Sequence, residues 1–109
     1  MAQTEKILGQ SYPTATVLTD LYTVPGATKA QTSTIVVSNQ SASNDTFRIS
    51  VAEAGAADST EQYLYYDITI PGNDTFCATI GITLNTTDVI RCYSAGGTCS
   101  FNLFGIEKT

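Results

Sequence analysis

At 109 residues, with 5 basic and 10 acidic side chains, a net charge of -5 and no histidine, the chain has room for one domain and lacks the clustered Lys and Arg on which nucleic-acid binding depends. The missing imidazole removes hydrolases built on a nucleophile and histidine pair, and with them the commonest metal ligand. Only 14% of residues are charged, against about a quarter in an ordinary domain, so Thr, Ser, Asn and Gln coat a surface that buries against a neighbour at lower desolvation cost than Lys or Glu.

Period-two alternation dominates the chain and helical stripes are weak. The opening MAQTEKILGQ has no apolar signal core, and no apolar run reaches the ~18 residues of a membrane span; a cytosolic product with no membrane partner is expected. Residues 1–10 read as an edge strand or as an N-terminal arm that docks Ile7 and Leu8 on a neighbour. A second strand is expected within 16–24, and Pro25-Gly26 turns the chain into a β-branched run at 32–38. After an Asn- and Ser-rich turn, Phe47, Ile49 and Val51 alternate with Arg48 and Ser50. The stretch 52–62 carries Gly55 and no apolar stripe; it reads as a long connection crossing between sheets, with a single helical turn as the alternative.

In the next strand Leu64, Tyr66, Ile68 and Ile70 share a face expected to meet the core, and Tyr63, Tyr65, Asp67 and Thr69 share the other. Exposed tyrosines pointing one way mark a contact patch, because Tyr joins a large apolar area to a polar tip. Tyr63 and Tyr65 are therefore candidate interface residues, unless the chain's own loops cover them or that face lies between the two sheets. Pro71-Gly72-Asn73-Asp74 is a turn. Over 75–84 the alternation is cleanest: Phe76, Ala78, Ile80, Ile82 and Leu84 face inward, and Thr75, Cys77, Thr79, Gly81 and Thr83 face outward. Further strands are expected at 89–94 and 100–106, separated by a turn at 95–98. The pattern predicts a single all-β domain over residues 1–109, an antiparallel β-sandwich of seven to eight strands with jelly-roll or Ig-like order. A domain this small buries only about 60–65% of its unfolded surface, so it gains from oligomerising.

Few residues carry chemistry. Asp67, Asp74 and Asp88 are the carboxylates a glycosidase would need, but each lies at or near a turn where Asp serves the backbone. No catalytic residue, cofactor site or metal site is assigned. Cys77, Cys92 and Cys99 fall short of the four ligands of a structural zinc site. Cys92 and Cys99 flank the Gly96-Gly97 turn, so in a hairpin they would lie opposite or diagonal on one face, where a disulfide is geometrically allowed. Reduced thiols packed as small hydrophobes are the alternative. Cys77, turned away from the apolar face, is a candidate intersubunit thiol.

Taken together, the words ILGQ (7–10), LYTVP (21–25), STIVVSN (33–39), YLYYD (63–67), PGNDTF (71–76), GITL (81–84), TDVIR (87–91) and FNLFG (101–105) give a chain that resembles a family of short bacteriophage virion proteins along nearly its whole length. The resemblance implies a non-enzymatic structural part of a tailed-phage particle, with no catalytic residues to carry over. The expected role is a homo-oligomeric head decoration or cement protein, slightly ahead of a neck or tail accessory protein. Its partners would be itself and capsid, neck or tail proteins; it would be assembled in the host cytoplasm and reside in the virion. The alternative is a tail-tip or fibre module that binds host-surface carbohydrate, with Tyr63 and Tyr65 stacking on sugars.

Overall fold

The structure, a computed structural model, describes residues 2–109. Strands form where the alternation places them: β1 (Gln3–Ser11), β2 (Thr19–Thr23), β3 (Lys29–Asn39), β4 (Asp45–Ala52), β5 (Tyr63–Ile70), β6 (Thr75–Ala78), β7 (Thr83–Leu84), β8 (Val89–Ser94) and β9 (Cys99–Lys108). Every pairing is antiparallel and the pairs are nested: β4 with β5, β3 with β6 and β7, β2 with β8, and β1 with β9. The chain is in effect one long hairpin, rolled so that successive rungs fall in opposite sheets. One sheet runs β1-β9-β3-β6 with β7 also on β3, and the other runs β2-β8-β4-β5. That order is a jelly roll, which decides between the two sandwich topologies the sequence leaves open.

The inner faces meet in a core led by Phe47, Phe101, Ile35, Ile49, Ile70, Ile90 and Leu103. Phe47 sits at its centre, with ring centroids 5.0 Å from Phe76 and 6.2 Å from Phe101. Glycine is required where backbones approach closely, between neighbouring strands of one sheet for Gly105 on β9 and between the two sheets for Gly9 on β1. A Cβ on Gly105 would lie 2.3 Å from the Gln31 carbonyl oxygen, and one on Gly9 2.1 Å from that of Leu21; both glycines lie beside irregularities in the β1–β9 and β3–β9 registers.

Three expectations need correction. The expected strand at 75–84 is two short strands, although its inward and outward alternation persists throughout. Across the break, Thr32 Oγ1 donates to the Ile80 carbonyl (2.7 Å) and accepts from the Ile82 N–H (2.9 Å). A hydroxyl on β3 thus satisfies backbone groups the ladder leaves open. With β6 and β7 separate, nine strands form among the described residues. The stretch 52–62 does not cross between sheets, because it joins β4 to β5, which are neighbours in one sheet. It makes two single-turn 3-10 helices, Glu53–Gly55 and Thr60–Gln62, and folds back over the outer face of β4 and β8. Arg91 Nη1 and Nη2 donate to the carbonyls of Ala56 (2.9 Å) and Gly55 (3.3 Å), and Asp88 Oδ1 accepts from the Ala54 N–H. The hairpin assumed for Cys92 and Cys99 does not exist either: β8 and β9 lie in opposite sheets. All three cysteines are free thiols, with Cys92 and Cys99 fully buried.

Candidate functional site

The outer face of the β2-β8-β4-β5 sheet carries the most elaborate side-chain arrangement on the surface. Arg48 on β4 projects outward beside its cross-strand partner Tyr93 on β8. Its guanidinium lies 4.2 Å from the centre of the Tyr66 ring and 4.3 Å from that of Tyr93, a cation held between two aromatic faces. Nε and Nη2 donate to the two carboxylate oxygens of Asp67 at 2.6 and 3.3 Å, and this pairing keeps the guanidinium firmly charged. Tyr63 meets Tyr66 edge to face, with centroids 5.0 Å apart and planes at 88°. Burial first, then the Asp58 carboxylate, raises the Tyr63 phenol above its ordinary range. The 53–62 connection lifts Asp58, Ser59 and Thr60 beside these rings, and together they enclose a trough of about 450 Å³.

This cluster exists because β5 does not alternate evenly. Phe47 pairs with Ile68 and Ile49 with Tyr65, so Tyr66 and Asp67 together face the single residue Arg48. Asp67 takes up the extra residue with φ +52°, a conformation that Asp tolerates better than most L residues. A second shift at Leu64 brings Tyr63 into register with Ser50. Each bulge reverses the inside-outside pattern, and the two tyrosines expected to share a patch are separated. Tyr65 turns inward, 5.3 Å from Phe76 and 6.4 Å from Phe47. Tyr63 stays outside, and its companion is Tyr66, a residue the alternation assigns to the core but which is 56% exposed. Leu64 is likewise exposed, while Ile70 is buried as expected.

The other candidate residues are spread over the molecule. β1 is an edge strand paired with β9 along its length. An irregularity between Ile7 and Gly9 sets Ile7 outside at 50% exposure and Leu8 inside as part of the core; Leu8 is therefore packing, not contact surface. Cys77 is exposed on β6, at the opposite edge of the same sheet. The exposed large apolar residues fall on two opposite flanks of the sandwich. Ile7, Tyr12 and Val17 lie along β1 and its connection to β2, and Leu64, Tyr66 and Ile68 lie along β5.

One buried polar cluster escapes sequence reasoning. Asp45 accepts from the N–H groups of Thr46 and Gly96, both at 2.7 Å, and from Ser94 Oγ at 2.6 Å and Thr98 Oγ1 at 2.9 Å. Asn39 Nδ2 donates to the carbonyls of Ser43, Ile70 and Pro71. Burial pushes the Asp45 carboxyl upward, but the four donors outweigh it and hold the group down at about 2. The cluster ties the β3–β4, β5–β6 and β8–β9 turns at one end of the sandwich. Its role is structural, since every oxygen is already engaged by the fold.

The three aspartates considered for glycoside chemistry are similarly committed. Asp67 holds Arg48, Asp74 accepts from the Thr75 N–H, and Asp88 accepts from the N–H groups of Ala54 and Asn85. Among the described residues there is no group of three or more Cys, Asp or Glu placed to hold a metal, and no helix long and apolar enough to cross a membrane.

No protein-family model and no curated protein matches the chain. Among solved structures it is similar to a pentameric capsid protein isolated from metagenomic phage sequences, at 14% identity and a TM-score of 0.38, over 98% of this chain and 62% of the other. The chain thus spans less than two thirds of the length of that capsid protein.

Proposed function

We propose that this protein is a non-enzymatic structural component of a bacteriophage particle. It assembles as a homo-oligomer and serves as a head decoration or cement protein in preference to a neck or tail accessory protein. The observation that carries this reading is the pair of unlike apolar flanks on a small, weakly charged sandwich. Ile7, Tyr12 and Val17 on one side and Leu64, Tyr66 and Ile68 on the other give two different lateral surfaces. Contact between unlike surfaces of identical subunits is head-to-tail, and it closes into a ring when the rotation allows. The virion resemblance of the sequence points the same way. Jelly rolls occur in viral capsid and lectin domains, but a fold alone does not assign a role, so the surfaces bear the weight.

The test is copy number on purified particles by electron cryomicroscopy. Many copies spread over the shell are expected for decoration, and a few copies at one vertex would move the assignment to the neck or tail. Absence from the particle overturns the proposal. Light scattering on the isolated protein adds a second measurement: a strict monomer at high concentration and in the particle alike would remove the homo-oligomer.

A further inference from the structure

We propose that the trough bounded by Arg48, Asp58, Ser59, Thr60, Tyr63 and Tyr66 is a binding site for an uncharged saccharide unit. The site shares Tyr66 with the β5 flank and so requires that flank to be open where the ligand docks; it does not use the tyrosine pair suggested by simple alternation, since Tyr65 packs inward against the core.

Shape comes first. The 53–62 connection raises one wall against the flat outer sheet, and the resulting volume of about 450 Å³ lies within the roughly 300–1,000 Å³ usual for small-molecule sites. Chemistry comes second. A pyranose offers a ring of C–H groups on its faces and hydroxyls around its rim. The Tyr63 and Tyr66 rings supply apolar area for the former; the Asp58 carboxylate and the Thr60 hydroxyl supply acceptors and a donor for the latter, and Ser59 Oγ, which already donates to Glu61, a further acceptor. Preorganisation comes third. Tyr66 is 56% exposed, yet it is braced by Arg48 on one ring contact and by Tyr63 on another. Arg48 is in turn fixed by Asp67 and Tyr93. An exposed aromatic that is already held loses little freedom when a ligand arrives.

Charge decides the ligand class. The trough contains one cation, and Asp67 neutralises it through paired hydrogen bonds. Asp58 then leaves the lining with a net negative charge, which disfavours phosphate, sulfated or sialylated ligands and leaves neutral sugars.

The experiment is a titration of the 15N-labelled full chain, followed by amide NMR. The panel holds maltose, lactose, mannobiose, N,N'-diacetylchitobiose and rhamnose, with 3'-sialyllactose and inorganic phosphate as anionic comparisons. At least one neutral sugar should give saturable shifts centred on residues 58–60, 63 and 66, with millimolar affinity. Tyr66→Ala and Asp58→Asn should each weaken that binding by about ten-fold or more. Asp58 is exposed, so Asp58→Asn should unfold thermally like the parent and keeps the test decisive if Tyr66→Ala is less stable. The proposal is overturned if no neutral sugar in the panel saturates, if the anionic ligands bind more tightly, or if both variants bind as the parent does.

Discussion

Replacing Asp45 with Asn removes a carboxylate that the fold holds at about 2 in place of 3.8. A group whose pKa is lower in the folded state adds stability above its unfolded pKa and loses it as the pH falls through the folded one. At ~1.4 kcal/mol per pH unit, the drop from 3.8 to about 2 corresponds to about 2–3 kcal/mol. That contribution is complete at neutral pH and lost between about pH 4 and pH 2. Asp45→Asn keeps the shape but turns an NH2 toward donors such as the Ser94 and Thr98 hydroxyls, so it should also cost about 2–4 kcal/mol at pH 7. Urea unfolding followed by circular dichroism, on both proteins between pH 7 and pH 2, gives the two curves. The gap between them should narrow by about 2–3 kcal/mol on acidification. If the curves stay parallel, the donors around Asp45 do not hold its charge and the reasoning fails.

Tyr22→Phe removes the 2.6 Å hydrogen bond from the phenol to Glu107 Oε2 that ties β2 to β9 across the sandwich, and denaturant unfolding should show a loss of about 1–2 kcal/mol. The same change should raise the Glu107 carboxyl, held low first by that phenol and also by Lys6, as side-chain NMR titration would record. Ser50→Ala should leave stability unchanged or raise it by up to about 1 kcal/mol, because Ser50 Oγ is buried without a hydrogen-bond partner among the described residues; a clear loss would reveal a partner. Gly105→Ala should destabilise by about 1–3 kcal/mol through overpacking against the Gln31 backbone. Of the three thiols, only Cys77 should react with a thiol reagent in the native protein and all three after denaturation. Burial hides Cys92 and Cys99 and pushes their thiols up to about 12 and about 11. Native reaction of all three would contradict that burial.

Fold class was legible because alternation depends on one local rule, that neighbouring strand residues point to opposite faces. The rule held for Phe47 and Ile49 and for Phe76 through Leu84, even where the strand itself broke. It misled at β5 because a bulge shifts every later side chain, and its cause is a register between strands that no single segment contains. A signal was present all the same: Asp67 sits mid-strand, where Asp is disfavoured but where it can adopt the left-handed turn the bulge requires. The aromatic clamp on Arg48 depends on Tyr93 and Tyr66, brought in from two neighbouring strands, and the Asp45 cluster gathers three separate turns. Neither leaves a sequence spacing to read. The cysteine pairing failed for the same reason, since a short turn between strands suggests a hairpin and here carries the chain from one layer to the other.

The outermost rung also joins the two ends of the chain. Ala2 and Thr109 exchange backbone hydrogen bonds at 3.1 and 2.9 Å, so residues 2 and 109 lie at the same corner. A short linker between them, with a cut in the exposed connection at 53–62, would give a circular permutant that keeps every strand pair. In the natural order that rung must be closed across about a hundred residues, a slow, high-contact-order step. In the permutant it would become a local hairpin, and the β4–β5 pair would become the rung closed across the chain. The two proteins would therefore share a native structure and differ in which rung closes last.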